Sequence, residues 1–417
     1  MTLHGLGDGA ALGAVRPARI QVFGLRTWGN LGNLLAARKL ARRLELLLAD
    51  ASVRVLEGES FFPALAEFGA QMRDLKEAVR DPAELRSRYL SLMADALRRF
   101  PPDSETTTSA SLSDREMAPL AEHFAESQPD IVIGAKGLLS RLCVKALRQA
   151  SLETPVVNYV TNHGLISIPV HRSRWFTLNL VPFEQTKSAL VTTYGYCDAN
   201  VEVVGPIVSG EGLRTVVAHD AVNHHSGFRT VERGAVILFA NHAGFDYARL
   251  FEECGDVLAP IDVILIAHQR PALLERVRTL KSNLGAHKWR VYDSLDQLEY
   301  LDEIAAAARF EHSFLISKSG PNTVLEAAVF GLPVLVHMSG LPMEDWVAEF
   351  VATHGLGQAC ESVIELGQQL RSWVTSPEAV AKCKHRLSDF AAAHLDPNLT
   401  DRRLLDVFTR LLQGGPN

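Results

Sequence analysis

The sequence predicts an α/β protein in which two doubly wound domains face a central cleft. From residue 129 onward, short apolar runs alternate with helical stretches, which is the pattern of parallel strands joined by helices. The same alternation starts afresh at Gly234, after a polar stretch. The length of 417 residues also exceeds that of a usual single domain, so two domains are expected.

The chain begins with a strand, a glycine-containing loop, a helix and a second strand. Residues 20–24 form an apolar run, residues 34–50 repeat apolar side chains at helical spacing, and residues 52–56 form the next run. The loop between the first strand and the helix carries G-x-x-G at Gly29 and Gly32. Dinucleotide sites need G-x-G-x-x-G, so we do not expect such a site here.

Residues 59–125 interrupt this pattern with amphipathic helices, expected over residues 62–79 and 83–100. These helices are predicted to pack on the sheet with their charges in solvent. Phe62 and Leu92 lie among arginines such as Arg86 and Arg88, which is also typical of helices on a membrane surface. A peripheral membrane contact is therefore the alternative interpretation.

The alternation then becomes regular, with strands at residues 129–134 and 155–160. The second of these strands ends in a polar tetrad at residues 161–164. Open α/β sheets bind ligands at the carboxyl ends of their strands, so this tetrad is a candidate site. Residues 209–233 are expected to link the domains; their histidines lack the spacing of metal ligands, and no metal site is predicted.

The strongest local signal is a strand, a loop of small residues, a helix and another strand within residues 313–337. Gly320-Pro321 predicts a turn, and Asn322 or Thr323 is expected to cap the helix. A helix N-terminus offers backbone N–H groups to a phosphate, and Glu326, one turn later, could bind a ribose. The alternative is an ordinary βαβ turn with a surface glutamate.

Composition limits the partners and the compartment. The net charge of −6 argues against nucleic acid as a partner, and no apolar run is long enough to span a bilayer. Five scattered cysteines without C-x-x-C spacing are typical of reduced thiols, and no signal peptide is recognised, so a cytoplasmic location is expected. The predicted domains are residues 1–208 and 234–396, followed by a helix in residues 397–417 that packs back on the first domain.

Several motifs resemble the GT-B nucleotide-sugar glycosyltransferases, in the branch of monogalactosyldiacylglycerol synthase and the peptidoglycan N-acetylglucosaminyltransferase. In the second half they are Ser317-Lys318-Ser319-Gly320, Thr323-Val-Leu-Glu326-Ala, Gly331, Pro333 and His354-Gly355-Leu356-Gly357. In the first half they are Pro129-Asp-Ile-Val-Ile, Leu138-Leu139-Ser140 and Val160-Thr161-Asn162. The resemblance implies a GT-B fold with two Rossmann-like domains.

The resemblance also implies a UDP-sugar donor, a small-molecule or lipid acceptor, inversion at the anomeric carbon, and no metal or other cofactor. Glu326 would hold the ribose, Glu344 the donor sugar, and two helix-terminal loops the diphosphate. The donor-binding residues implied in this way are Asn241, Gly244, Lys318, Ser319, Gly320, Asn322, Thr323, Glu326 and Glu344.

Departures from the family pattern concern the base and the sugar. Relatives often place a histidine in the loop after the first strand, whereas this chain has amides there; the acid of the family's V-T-D motif is Asn162. His163 is the leading candidate for the general base, because an ordinary histidine accepts a proton near pH 7. Further catalytic candidates are Asn33 and His242, and the acceptor-binding candidates are Trp28, Asn30 and Asn162.

Two other functions stay open. Met343 and Val347 replace the Gln and Asn of the family's Q-E-x-x-N segment, which leaves the identity of the sugar undetermined. A non-catalytic subunit that binds a nucleotide sugar is therefore one alternative. An enzyme like UDP-N-acetylglucosamine 2-epimerase, which shares the fold, is the other.

Overall fold

A computed structural model of the protein describes residues 16–26, 32–79, 81–99, 112–161, 173–208, 234–240, 245–267 and 270–414. Within these ranges the chain forms two six-stranded sheets, and every strand pairing in them is parallel. Helices surround both sheets. The predicted α/β fold with two doubly wound domains is confirmed.

The first sheet has the order β2-β1-β3-β4-β5-β6. Its strands are β1 (Ala18–Gly24), β2 (Ala51–Glu57), β3 (Ile131–Gly134), β4 (Val156–Tyr159), β5 (Leu178–Val181) and β6 (Val201–Val203). The order reverses between β1 and β3, so the chain after these two strands leaves toward opposite faces of the sheet. Ligands of open α/β sheets bind in the crevice at such a switch point.

The helices of this half are α1 (Gly32–Leu47), α2 (Pro63–Ala78), α3 (Pro82–Arg99), α4 (Asp114–Ser127), α5 (Gly137–Gln149) and α6 (Glu184–Thr192). A short 3₁₀ turn, Gly58–Ser60, lies between β2 and α2, and another, Asp198–Asn200, lies between α6 and β6. Helix α1 ends three residues before its predicted end. Leu65 and Phe68 of α2 are buried in one core with Phe23 and Leu139, so the helices after β2 cover the sheet.

The second sheet has the order β12-β11-β10-β7-β8-β9, which reverses between β7 and β10. Its strands are β7 (Ala235–Phe239), β8 (Asp262–Ile266), β9 (Trp289–Tyr292), β10 (Phe314–Lys318), β11 (Val334–His337) and β12 (Gly357–Cys360). Its helices are α7 (Tyr247–Leu258), α8 (Pro271–Asn283), α9 (Gln297–Ala308), α10 (Pro321–Val329), α11 (Pro342–His354), α12 (Val363–Thr375) and α13 (Pro377–His394). No helix in the described ranges is long and apolar enough to cross a bilayer.

The last helix, α14 (Pro397–Leu412), lies against the first half of the chain. Its Asp401 forms an ion pair with Arg43 of α1, and its Phe408 shares a core with Ile20 of β1. The helix begins at Pro397, the first residue of the range in which it was predicted. Proline is well suited to the first helical position, because the N–H that it lacks would have no partner there.

Candidate functional site

The structure differs from the prediction at the start of helix α10. Gly320 is the N-cap, with φ −95° and ψ 122°, and no side chain caps the helix. The predicted cap by Asn322 or Thr323 was wrong, because Pro321 occupies the first helical position and moves both residues into the first turn. Gly331, with φ 68°, follows the end of the helix as predicted.

Some backbone N–H groups of this loop donate hydrogen bonds within the protein, and others lie at the start of the helix. The N–H of Ser319 donates to the His337 carbonyl over 2.9 Å, and the N–H of Gly320 donates to the Lys318 carbonyl over 2.6 Å. Asn322 and Thr323 lie in the first turn, where an N–H group has no carbonyl of its own helix to bond. An anion at the start of this helix would therefore meet the N–H groups of Asn322 and Thr323 and not those of Ser319 and Gly320, which bond within the protein.

The Ser319 side chain also serves the protein itself. It is fully buried, and its hydroxyl accepts a hydrogen bond from the Ser339 backbone N–H over 3.3 Å. This contact joins the loop after β10 to the loop after β11. We expected the Ser319 side chain to line the phosphate site. In the structure its hydroxyl bonds to the Ser339 backbone.

The N-termini of α1 and α10 meet across the two halves of the chain. A Cβ atom placed on Gly32, the first residue of α1, would lie 3.9 Å from the Asn322 side-chain nitrogen. Each helix follows a strand at the switch point of its own sheet, β1 in one and β10 in the other. Because a helix N-terminus carries partial positive charge, an anion between these two ends would be stabilised by both.

Glu326 lies one turn further along α10, and the Lys39 ammonium of α1 donates to its carboxylate. The Glu326 carboxylate is 8% exposed and the Lys39 side chain 12%, so the pair is largely shielded from water. Tyr300 is also close enough to be affected: its phenol pKa is raised by burial and by the negative charge of Glu326. A ribose that reaches Glu326 must therefore share the carboxylate with Lys39.

A narrow cleft surrounds this ion pair. Its open space is ≈ 360 Å³ including the mouth. It is lined by Ala36, Lys39, Tyr159, Thr161, Pro182, Pro206, Ile207, Val208, Asn322, Leu325 and Glu326. The lining comes from both halves of the chain, so a ligand here would contact both.

Asn33, a predicted catalytic residue, lies at the N-terminus of α1 beside the end of β4. The Thr161 hydroxyl donates to the Asn33 side-chain oxygen over 3.0 Å and lies 3.2 Å from the Ala135 carbonyl. The carboxamide is thereby held at the carboxyl end of the first sheet. A carboxamide cannot take up a proton at neutral pH, so its place suits orientation of an acceptor better than general base catalysis.

A second charged group is built around an ion pair between the end of β10 and the first turn of α11. The Lys318 ammonium donates to the Glu344 carboxylate over 2.6 Å. Burial favours the protonated form of Glu344, but the charges of Lys318 and Lys76 outweigh it and lower the pKa of the carboxyl. Glu344 is therefore a carboxylate at neutral pH, held among ammonium groups.

Lys76 and Lys136 are the residues of this group that the sequence did not reveal. Burial and the nearby Lys318 lower the pKa of Lys76 to about 8, and burial and the nearby Lys76 lower the pKa of Lys136 to about 7. Lys136 is only 7% exposed. Lysines in amphipathic stretches are ordinarily interpreted as solvated surface, and no local signal in the sequence distinguishes these two.

Other predicted site residues lie outside the part of the chain that the structure describes. They are Trp28, Asn30, Asn162, His163, Asn241, His242 and Gly244. Their assignments stay predictions. Among the described residues, no group of three or more His, Cys, Asp or Glu side chains could hold a metal ion.

Comparison with known proteins shows the fold. No model of a known protein family matches the chain, and no curated protein matches it. Similar solved structures include Os79 from O. sativa, with a TM-score of 0.60 and 12% identity over 94% of this chain and 100% of that one. They also include MurG of Acinetobacter baumannii, with a TM-score of 0.56 and 14% sequence identity. A third is the UDP-GlcNAc 2-epimerase of Neisseria meningitidis bound to UDP-GlcNAc, with a TM-score of 0.57 and 12% sequence identity. Each of these two covers 94% of this chain and is itself covered completely. These likenesses identify the GT-B fold.

Proposed function

We propose that the protein is a glycosyltransferase that moves a sugar from a UDP-sugar to a hydroxyl group of a small molecule or lipid. The observation that carries this proposal is the meeting of the α1 and α10 N-termini at Gly32 and Asn322, with the Glu326 carboxylate one turn further. An anion held between the two helix ends would lie next to a carboxylate that can accept bonds from ribose hydroxyls, and this combination suits a nucleoside diphosphate.

The diphosphate would lie between the two helix ends. The N–H groups of Asn322 and Thr323 would donate to its oxygens, and the ammonium of Lys318 would add positive charge nearby. The ribose hydroxyls would donate to the Glu326 carboxylate, which forms an ion pair with Lys39. Binding would draw on both halves of the chain, since Lys39 and Glu326 belong to different sheets.

Transfer would proceed by direct displacement. An acceptor hydroxyl oxygen attacks the anomeric carbon from the face opposite the diphosphate, the bond from that carbon to the diphosphate oxygen breaks, and the configuration inverts. The hydroxyl proton passes to a base, for which His163 is the candidate from the sequence. The helix ends and Lys318 stabilise the charge on the leaving diphosphate, so this proposal needs no metal ion.

An enzyme like the 2-epimerase is the second candidate, since the N. meningitidis epimerase has the same fold. It would have to move a proton at the second carbon of the sugar, which needs an acid and a base in the cleft. Glu326 and Glu344, the two carboxylates described above, are each paired with a lysine. Despite its burial, Glu344 has a pKa lowered by the nearby charges of Lys318 and Lys76, so it is a weak base, which favours the transferase.

Product analysis separates these functions. The protein is incubated with a panel of UDP-sugars, with and without a panel of alcohol acceptors, and UDP and sugar products are identified by mass spectrometry. UDP release that depends on acceptor supports the transferase. An isomerised UDP-sugar formed without acceptor shows an epimerase, and tight binding without either product shows a binding subunit. The Glu326→Ala variant serves as the control for turnover at this site.

A further inference from the structure

Lys39 is the residue through which the first half of the chain reaches the proposed ribose position. Its ammonium group, on α1, donates to the Oε1 atom of Glu326 on α10, 287 residues later in the chain. The lysine side chain is 12% exposed and the glutamate side chain 8%, so the pair lies within the cleft and not on the surface. The ion pair therefore occupies the carboxylate that the ribose is proposed to use.

These two residues carry the charge of the cleft. Among the described residues that line it, Lys39 is the cation and Glu326 the anion, and the others are apolar or uncharged at neutral pH. A diphosphate would bring further negative charge close to the Glu326 carboxylate. Like charges that are shielded from water repel each other more strongly than in water. The cleft has a cation of its own to offset this repulsion, provided that the Lys39 ammonium group leaves Glu326.

The two helices place the Lys39 ammonium group near the proposed diphosphate position. The α1 and α10 N-termini approach each other, since a Cβ atom placed on Gly32 would lie 3.9 Å from the Asn322 side-chain nitrogen. Asn322 precedes Glu326 by four residues, which is about 6 Å along the helix axis at about 1.5 Å for each residue. Side chains on a helix lean toward its N-terminus, which for Lys39 is the end at Gly32. Rotation about the side-chain bonds of Lys39 would carry its ammonium group from Glu326 toward an anion at the helix ends.

We propose that Lys39 is a donor-binding residue that changes its partner when the donor binds. Without donor, its ammonium group pairs with Glu326. With a UDP-sugar in the cleft, the ribose hydroxyls donate to Glu326, and the Lys39 ammonium group binds an oxygen of the diphosphate. This inference rests on the UDP-sugar binding of the proposed function, and it adds a diphosphate ligand from the first half of the chain.

The exchange makes the role of Lys39 depend on phosphate. A ribose without phosphate displaces Lys39 from Glu326 and offers the ammonium group no new partner, whereas UDP supplies an anion for it. Removal of the Lys39 charge should therefore favour the binding of uridine and disfavour the binding of UDP. A lysine that only orients the Glu326 carboxylate would change both affinities in the same direction.

Calorimetry with UDP tests the exchange, and the affinity for uridine is measured by its competition with UDP. Lys39→Met should weaken UDP binding by at least about tenfold, the effect of losing one charge-assisted contact, and should leave the affinity for uridine unchanged or higher. Lys39→Arg keeps a cation that can bind phosphate and should retain most of the affinity for UDP. Arg42→Met, at an exposed position of the same helix, removes the same charge outside the cleft and is the matched control.

A double variant decides whether Lys39 acts on the donor itself or through Glu326. Glu326→Gln keeps a side-chain oxygen for the ribose but no longer holds the ammonium group by charge. Adding Lys39→Met to Glu326→Gln should therefore still weaken UDP binding by at least about tenfold. The double variant leaves neither charge of the pair unpaired, so it tests the proposal even if Lys39→Met alone does not fold. Circular dichroism of each variant establishes whether it is folded.

Three results overturn the proposal. They are a UDP affinity of Lys39→Met that equals or exceeds that of the wild type, equal losses of affinity for UDP and uridine, and no further loss when Lys39→Met is added to Glu326→Gln. Wild-type protein that binds neither UDP nor UDP-sugars refutes the proposed function and this inference with it. UDP binding with an isomerised sugar and no transfer refutes the transferase alone, because the exchange at Lys39 requires the nucleotide and not the transfer.

Discussion

Replacing Lys136 with methionine should make the protein more stable at neutral pH and less sensitive to pH. The pKa of Lys136 is about 7 in the folded protein, whereas an exposed lysine in the unfolded chain has a pKa near 10.4. Between these two values the unfolded chain binds the proton and the folded protein does not. The free energy of unfolding therefore rises with pH across this window, in the direction opposite to that of a stabilising ion pair.

The size of the effect follows from the same window. One proton of difference contributes about 1.4 kcal/mol for each pH unit, so the wild-type protein should gain about 2 kcal/mol between pH 7 and pH 9 through Lys136. Methionine has no proton to lose and keeps a similar side-chain length. The stability advantage of Lys136→Met should accordingly be largest near pH 7 and shrink by about that amount at pH 9.

Urea-induced unfolding at pH 7, 8 and 9, followed by circular dichroism at constant ionic strength, measures this difference. The exposed control Lys382→Met should follow the wild-type pH dependence. Parallel curves for wild type and Lys136→Met would show that Lys136 keeps an ordinary pKa in the folded protein. In that case the reasoning from its burial and from the nearby charge of Lys76 is refuted.

Three further predictions concern the proposed transfer. Glu326→Ala should weaken UDP binding by about 1–3 kcal/mol, which is the cost of losing hydrogen bonds to a charged group. The control variant Glu361→Ala, at an exposed position, should bind UDP as the wild type does. Equal affinities of wild type and Glu326→Ala by calorimetry would refute the ribose assignment. Full activity is expected in excess EDTA, and a loss that Mg²⁺ or Mn²⁺ restores would overturn the mechanism without metal. His163→Ala should lower turnover by about 10²–10⁴-fold with nearly normal UDP affinity, and normal turnover would exclude His163 as the base.

The strands were predictable because their signal is local. A run of apolar residues between polar ones and turn-forming residues specifies a buried parallel strand, and β1 and β2 lie where such runs predict them. The end of α10 was also predictable, because Gly331 and a nearby proline stop the helix. Helix starts were less predictable, since Pro321 begins a helix where the sequence suggested a later start.

The composition of the candidate site was only partly accessible from the sequence. Glu326 and Glu344 were identified, but their partners Lys39 and Lys318 were not assigned to them. Lys39 and Glu326 are separated by 287 residues, and nothing local in α1 indicates which of its cations reaches the other half of the chain. Pairing of this kind depends on how two complete sheets lie against each other, which no short stretch of sequence encodes.

The sequence by itself determined the two parallel sheets and the loop–helix unit at residues 317–331, because both follow from local apolar spacing and turn chemistry. Only the tertiary structure decided that the α1 and α10 N-termini meet, that Lys136 is buried, and that Lys76 lies near Lys318 and Glu344. The physical reason is that burial of a charge is set by neighbours from distant elements. A lysine on an amphipathic helix has the same local pattern whether it faces water or another ammonium group.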